Sequence, residues 1–173
     1  VGSDDGIAYC LSASDGRVLW QHRVGPNDQR LLGHGKMISM WPLRTSVLVD
    51  NGVAYYGAGI WPAEGVYLEA LNLSDQKLVW RNDAIGEATD TTVSPQGYML
   101  VTSDALYVPQ GRVSPAECVR ATGKYRHTMR FGKRIGGTAA VIAGDVLCTG
   151  TEEVMSYRRD SRAKSAWVDA RAI

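Results

Sequence analysis

What the chain lacks narrows the field first. Neither sign of charge dominates: 19 basic and 18 acidic residues leave a net charge of +1. The concentrated basic face that nucleic acid or another polyanion requires is therefore missing. No apolar run approaches the roughly 18 residues of a membrane-spanning helix. Cysteine occurs three times, at Cys10, Cys118 and Cys148, an odd number with no CxxC spacing. These read as small buried hydrophobes in strands, with a disulfide between two of them left open in an exported protein. His22, His34 and His127 have no spacing that would build a metal site with one another or with cysteine. A Gly-x-Ser-x-Gly nucleophile elbow is absent. Phenylalanine occurs once, against five tryptophans and eight tyrosines with 19 glycines, a palette suited to short strands and tight turns. No segment sustains a helical period.

What is present is a repeat. Cys10-Leu-Ser-Ala-Ser-Asp-Gly-Arg-Val-Leu-Trp20 is echoed by Ala70-Leu-Asn-Leu-Ser-Asp-Gln-Lys-Leu-Val-Trp80. Degenerate copies run from Ala121 to His127 and from Asp160 to Trp167. Each is an apolar run, a turn and a second run, at the loose spacing that marks propellers and other repeat arrays. Strands are expected at 6–12 and 17–23, then at 45–49, 53–58, 66–71 and 77–81. A third set falls at 97–101, 105–108, 116–120 and 125–131, and a fourth at 139–143, 146–149, 154–158 and 165–169. Asn51-Gly52 between apolar runs is the strongest hairpin signal. Four antiparallel strands in a meander make one propeller blade. The expected fold is therefore all-β: a partial β-propeller of four-stranded antiparallel blades forming one domain over 1–173. Residues 1–24 would end one blade, and 45–82, 95–131 and 137–169 would form three whole ones. The start at Val1 and the stop after a tryptophan strand read as an internal piece of a longer protein.

A blade cannot cover its own two faces, so a large aromatic on the outer strand is expected to fill the wedge to its neighbour. Trp20, Trp80 and Trp167 are assigned this docking role, with His127 as a weaker substitute. The segment 25–43 reads as a long Gly- and Pro-rich connection, and long loops often carry function. Arg30, His34, Lys36, Trp41 and Arg44 there, with Trp61 in the next loop, form the candidate ligand or partner surface. Gln96 and Tyr98, at the start of an inner strand, are expected to line the central channel. Gly33-His34-Gly35-Lys36 lacks the spacing and the Ser or Thr of a phosphate loop and reads as a connector. Asp4-Asp5 and Glu152-Glu153 are sequence neighbours that a strand would send to opposite faces, so they do not make a catalytic carboxylate pair. The basic residues between Arg126 and Arg134 read as a solvated strand edge.

These docking motifs resemble those of the PQQ-like, quinoprotein-type β-propellers. Ala70, Asn72, Asp75, Lys77 and Trp80 follow the spacing of that family's tryptophan-docking pattern, as do Gly16, Arg17 and Trp20. Ser12, Asn72, Gln76 and Ala163 depart from it. Ser39-Met-Trp-Pro-Leu-Arg-Thr45, Val53-Ala-Tyr-Tyr-Gly-Ala-Gly59, Glu64-Gly-Val-Tyr67, Ser94-Pro-Gln-Gly-Tyr-Met-Leu100 and Leu106-Tyr-Val-Pro-Gln-Gly-Arg112 resemble a planctomycete-like bacterial subgroup. The resemblance implies a periplasmic or otherwise exported protein whose partners are further blades of a longer chain and another protein. It implies a non-catalytic binding or assembly scaffold with no cofactor in this stretch. The alternatives it carries are part of a dehydrogenase dependent on pyrroloquinoline quinone and calcium, or an accessory propeller beside an enzyme domain. The adjacent-cysteine disulfide and acidic calcium site of such dehydrogenases have no counterpart in the sequence.

Overall fold

A computed structural model describes residues 1–33, 35–87, 92–111, 113–129, 136–150, 153–161 and 164–169. Among these the order begins with β1 (Ile7–Leu11) and β2 (Val18–Arg23), which pair antiparallel. A hairpin of β3 (Arg30–Gly33) and β4 (Lys36–Ser39) follows. A four-stranded meander comes next: β5 (Leu48–Asp50), β6 (Val53–Ala58), β7 (Tyr67–Asn72) and β8 (Leu78–Asn82). A second meander is β9 (Leu100–Val101), β10 (Ala105–Gln110), β11 (Val113–Val119) and β12 (Tyr125–Thr128). The third is β13 (Ala140–Ala143), β14 (Val146–Gly150), β15 (Glu153–Arg158) and β16 (Lys164–Asp169). The molecule is all-β, an open partial propeller.

The hairpin that ends each blade has one geometry. Leu11–Val18, Leu71–Leu78, Cys118–Tyr125 and Tyr157–Lys164 pair across seven residues, and a bulge follows each. Cys10–Trp20, Ala70–Trp80, Glu117–His127 and Ser156–Ala166 then pair across ten. Gly16, Gln76 and Gly123 supply the positive φ that this bulged turn demands. The common register places His127 with Trp20 and Trp80. In the fourth hairpin the backbone at the same register position is that of Ala166, and Trp167 pairs with Met155. The Trp167 side chain, to which the sequence assigns a docking role, lies outside the described residues.

Two of the expected inner strands are shorter than predicted. Thr45 forms a parallel bridge to Gly97, and the Gly97 and Tyr98 amides donate to Arg44 and Thr138 carbonyls. The segments leading into the first strand of each blade thus bond to one another rather than to their own sheets. Gly97 (φ +116°) must be glycine here, since a Cβ would stand 2.1 Å from the Thr138 carbonyl oxygen. The long connection is also not a bare loop: Leu31-Leu32 and Met37-Ile38 pair antiparallel to make β3 and β4. Gly35 (φ +75°) stands at the turn between them.

Buried Val66, Leu68, Leu71, Ile85, Val93 and Leu106 pack the first three blades together. A second cluster of Tyr107, Met129, Leu147, Met155 and Tyr157 joins the third blade to the fourth. Full burial of one such side chain stabilises by about 1.5–3 kcal/mol. Trp80 docks as its motif requires: its indole N–H donates to the Arg120 carbonyl at 2.9 Å, and its ring lies on Gly123. Polar joints run beside these contacts. Glu69, wholly buried, is held by Arg81 and by His22 Nε2 at 2.9 Å, so its charge is compensated inside the core. Arg120 packs on Tyr55 and pairs with Asp50, and Arg159 repeats the clasp on Tyr107 one blade later. All three cysteines are free thiols in separate sheets.

Candidate functional site

Antiparallel order sends alternate connections to opposite edges of the blades. The turns at 51–52, 73–77 and 120–124 lie on one edge. The insertion before β5, the β6–β7 loop and the link into β9 lie on the other, which we call the upper rim. The residues singled out from sequence belong to these upper segments, and the fold separates those that face solvent from those that do not.

Trp41 is not a surface residue. It is buried, donates its indole N–H to the Glu64 carbonyl at 2.6 Å and meets Tyr67 edge-on. Gly25 lies against its ring. Its work is to hold the β6–β7 loop down, and the assignment to a partner surface is corrected accordingly. Arg30 is turned to Asp28, which takes three hydrogen bonds from its guanidinium at 3.2 Å. Lys36 pairs with Asp4 at 3.1 Å. His34 lies outside the described residues, as do 130–134 of the basic stretch and Glu152. Arg126, the described start of that stretch, is not a free edge charge: it binds Asp104 and the buried Glu117. Its guanidinium holds the Asp104 carboxyl below the ordinary carboxylate range.

Arg44, Trp61, Gln96 and Tyr98 do come together. A cleft of about 320 Å³ is walled by Leu31, Leu32, Ile38, Ile60, Trp61 and Pro95, with Arg44, Ser94 and Gln96 at its polar side. A second, of about 590 Å³, begins at the same Arg44 and Gln96 and extends past Ser46 and Gly97 to Tyr98 and Thr138. Arg44 thus stands between the two. Its backbone is clamped, because Gly97 donates to its carbonyl while the neighbouring Leu43 donates to Ser3 and Pro42 accepts from Gly59. Trp61 is presented by a short 3₁₀ turn, Pro62–Glu64, whose entry is pinned by Ser94 Oγ donating to the Ile60 carbonyl at 2.6 Å. That pinning leaves the indole 44% exposed.

Two residues not singled out from sequence complete the rim. Leu32 and Met37 stand opposite each other on β3 and β4, so both point from one face of the hairpin, and they are 73% and 59% exposed. Ile38 on the other face is buried. The signal was available: two apolar pairs flanking a glycine-rich turn read as a hairpin with one wet face. Among the described residues no group of three His, Cys, Asp or Glu side chains could hold a metal ion. No helix among them is long and apolar enough to cross a membrane.

Known proteins resemble this one along its length. The chain shares 29% identity over 93 residues with the outer membrane protein assembly factor BamB of Salmonella typhimurium, an overlap of 53% of this chain and 21% of that protein. BamB of Moraxella catarrhalis superposes with a TM-score of 0.70 at 14% identity, covering 98% of this chain and 45% of that one. A europium-containing methanol dehydrogenase superposes at 0.53 and 17% identity over 73% of this chain and 25% of its own, a likeness of fold. The chain therefore spans less than half of the BamB proteins it matches. The model of the family described as outer membrane protein assembly factor BamB matches residues 1–171, and the chain belongs to that family.

Proposed function

We propose that this chain is part of an exported, non-catalytic propeller that acts as an assembly scaffold, with the upper rim as its protein-binding surface. The carrying observation is the exposed Leu32–Met37 pair beside the exposed Trp61 at the mouth of the first cleft. Apolar side chains held in water by a well-hydrogen-bonded hairpin contribute nothing to the fold and gain on being covered. A rigid blade array supplies the frame and the inserted hairpin supplies the contact. Family membership supports outer-membrane protein assembly as the setting. No cofactor enters this reading.

The test replaces both exposed side chains. Leu32→Ser with Met37→Ser leaves folding stability within about 0.5 kcal/mol, as expected of surface positions. The same variant loses co-purification of outer-membrane assembly components from detergent-extracted envelopes. Undiminished co-purification would remove the rim from this role.

A further inference from the structure

We infer that the first cleft receives the C-terminus of a peptide, its carboxylate on Arg44 and its large apolar last side chain between Ile38, Ile60, Trp61 and Pro95. This rests on the rim being protein-binding and names the chemistry it reads. Of the described residues that line either cleft, Arg44 has the one charged side chain. Among the described residues Asp4 is its one charged partner, met by Nε at 3.1 Å, while the other Asp4 oxygen is taken by Lys36 at 3.1 Å. One carboxylate between two cations leaves a positive charge unanswered. Arg44 Nε is buried against Asp4 and the side chain as a whole is 26% exposed. Neither Nη group has a hydrogen bond among the described residues, and both are placed to grip a carboxylate as a fork. Partial burial beside apolar walls strengthens that attraction over its value in water.

The apolar side of the cleft sets the rest of the ligand. A volume of about 320 Å³ is at the small end of ligand sites, which run from roughly 300 to 1,000 Å³. It suits one large side chain with its carboxylate. Gln96 lines the same cleft, and its exposed amide makes no hydrogen bond among the described residues, which leaves it to meet the carboxylate or the last peptide N–H. A fatty acid would also offer a carboxylate on an apolar body. The hairpin favours the peptide: β3 contributes Leu31, Leu32 and Gly33 to the wall and among the described residues is paired on one side only, by β4. An extended chain entering along it finds backbone donors and acceptors that a lipid tail cannot use.

The probe is a fluorescein-labelled hexapeptide ending in phenylalanine, as free acid and as C-terminal amide, titrated by anisotropy into the full-length protein. The free acid is expected to bind roughly tenfold tighter than the amide or better. In Arg44→Gln that preference collapses to near equality, while Trp61→Ala weakens both forms and keeps their ratio. Equal binding of acid and amide by the unaltered protein would overturn C-terminal recognition and leave a protein-binding rim standing. Absence of binding by either form would overturn the inference as well, and the co-purification test decides the rim independently. Displacement of the peptide by decanoate at lower concentration than by N-acetylphenylalanine would assign the cleft to a fatty acid instead.

Discussion

At the scale of single residues, the blade joints make the sharpest claims. A Cβ on Gly123 would stand 2.4 Å from the Trp80 ring, at a φ of +67° that side chains resist. Gly123→Ala therefore combines backbone strain with loss of the dock and is expected to cost about 2–4 kcal/mol. Gly16→Ala has the same φ class but nothing within 4 Å, so strain alone, about 1–2 kcal/mol, applies. Urea unfolding of the two variants separates the terms, and equal losses would show that Trp80 is not seated on Gly123. Burial pushes the Cys118 thiol up to about 12 from an ordinary 9.0. Folded and unfolded chains both keep this proton below pH 9. As the pH rises towards 12 the unfolded thiol ionises first, so the folded state loses stability, by about 1.4 kcal/mol at pH 10. Cys118→Ala should flatten the alkaline decline in urea midpoint by that amount, and an unchanged slope would contradict the burial. Burial and the nearby Glu69 likewise raise the Tyr56 hydroxyl, which adds to the decline in both proteins.

At the scale of elements, the same hairpin is written four times and joined by a repeated clasp. Arg120 lies 5.7 Å from the centre of the Tyr55 ring, and Arg159 lies 5.9 Å from that of Tyr107. A double-mutant cycle between Tyr55→Leu and Arg120→Met should show coupling of about 1 kcal/mol. Additive losses would make the two residues independent. Much of this level was legible in the sequence, because the hairpins are local and their turns carry Ser-Asp, Asn-Gly and Thr-Gly. The polar joints were not. Glu69 reads as one more charged residue, and only the fold brings His22 and Arg81 to it from 47 residues before and 12 after. The shortened inner strands escaped for the same reason, since Thr45 and Gly97 answer to partners in other blades. At the candidate site, Arg44 and Trp61, named from the insert and the next loop, share two neighbouring clefts with Gln96 and Tyr98, which the sequence suggested for the central channel. Trp41 was offered for the partner surface beside the reading that it packs the loop onto the blade, and burial decides for packing, because a tryptophan in a polar segment looks the same in sequence either way. Leu32 and Met37 were passed over because the glycines around them made a hairpin look like a connector.

At the scale of the whole molecule, the propeller frame is shared by proteins that differ in what they do, so fold by itself assigns no activity. The scaffold reading makes a negative forecast: pyrroloquinoline quinone with calcium should leave the tryptophan fluorescence of the full-length protein unchanged once absorption by the quinone is corrected. Saturable quenching would move the account to quinoprotein chemistry. The forecast is about the upper rim too, since Trp61 lies there exposed and would report a ligand seated over it. The central claim, that this rim contacts a partner in assembly, is tested most directly by a photo-reactive amino acid placed at Leu32 and, separately, at the solvent-exposed Asp75 on the opposite edge. The account predicts a discrete adduct with an outer-membrane assembly component from position 32 and none from position 75. Adducts of equal yield from both positions, or from position 75 alone, would contradict it.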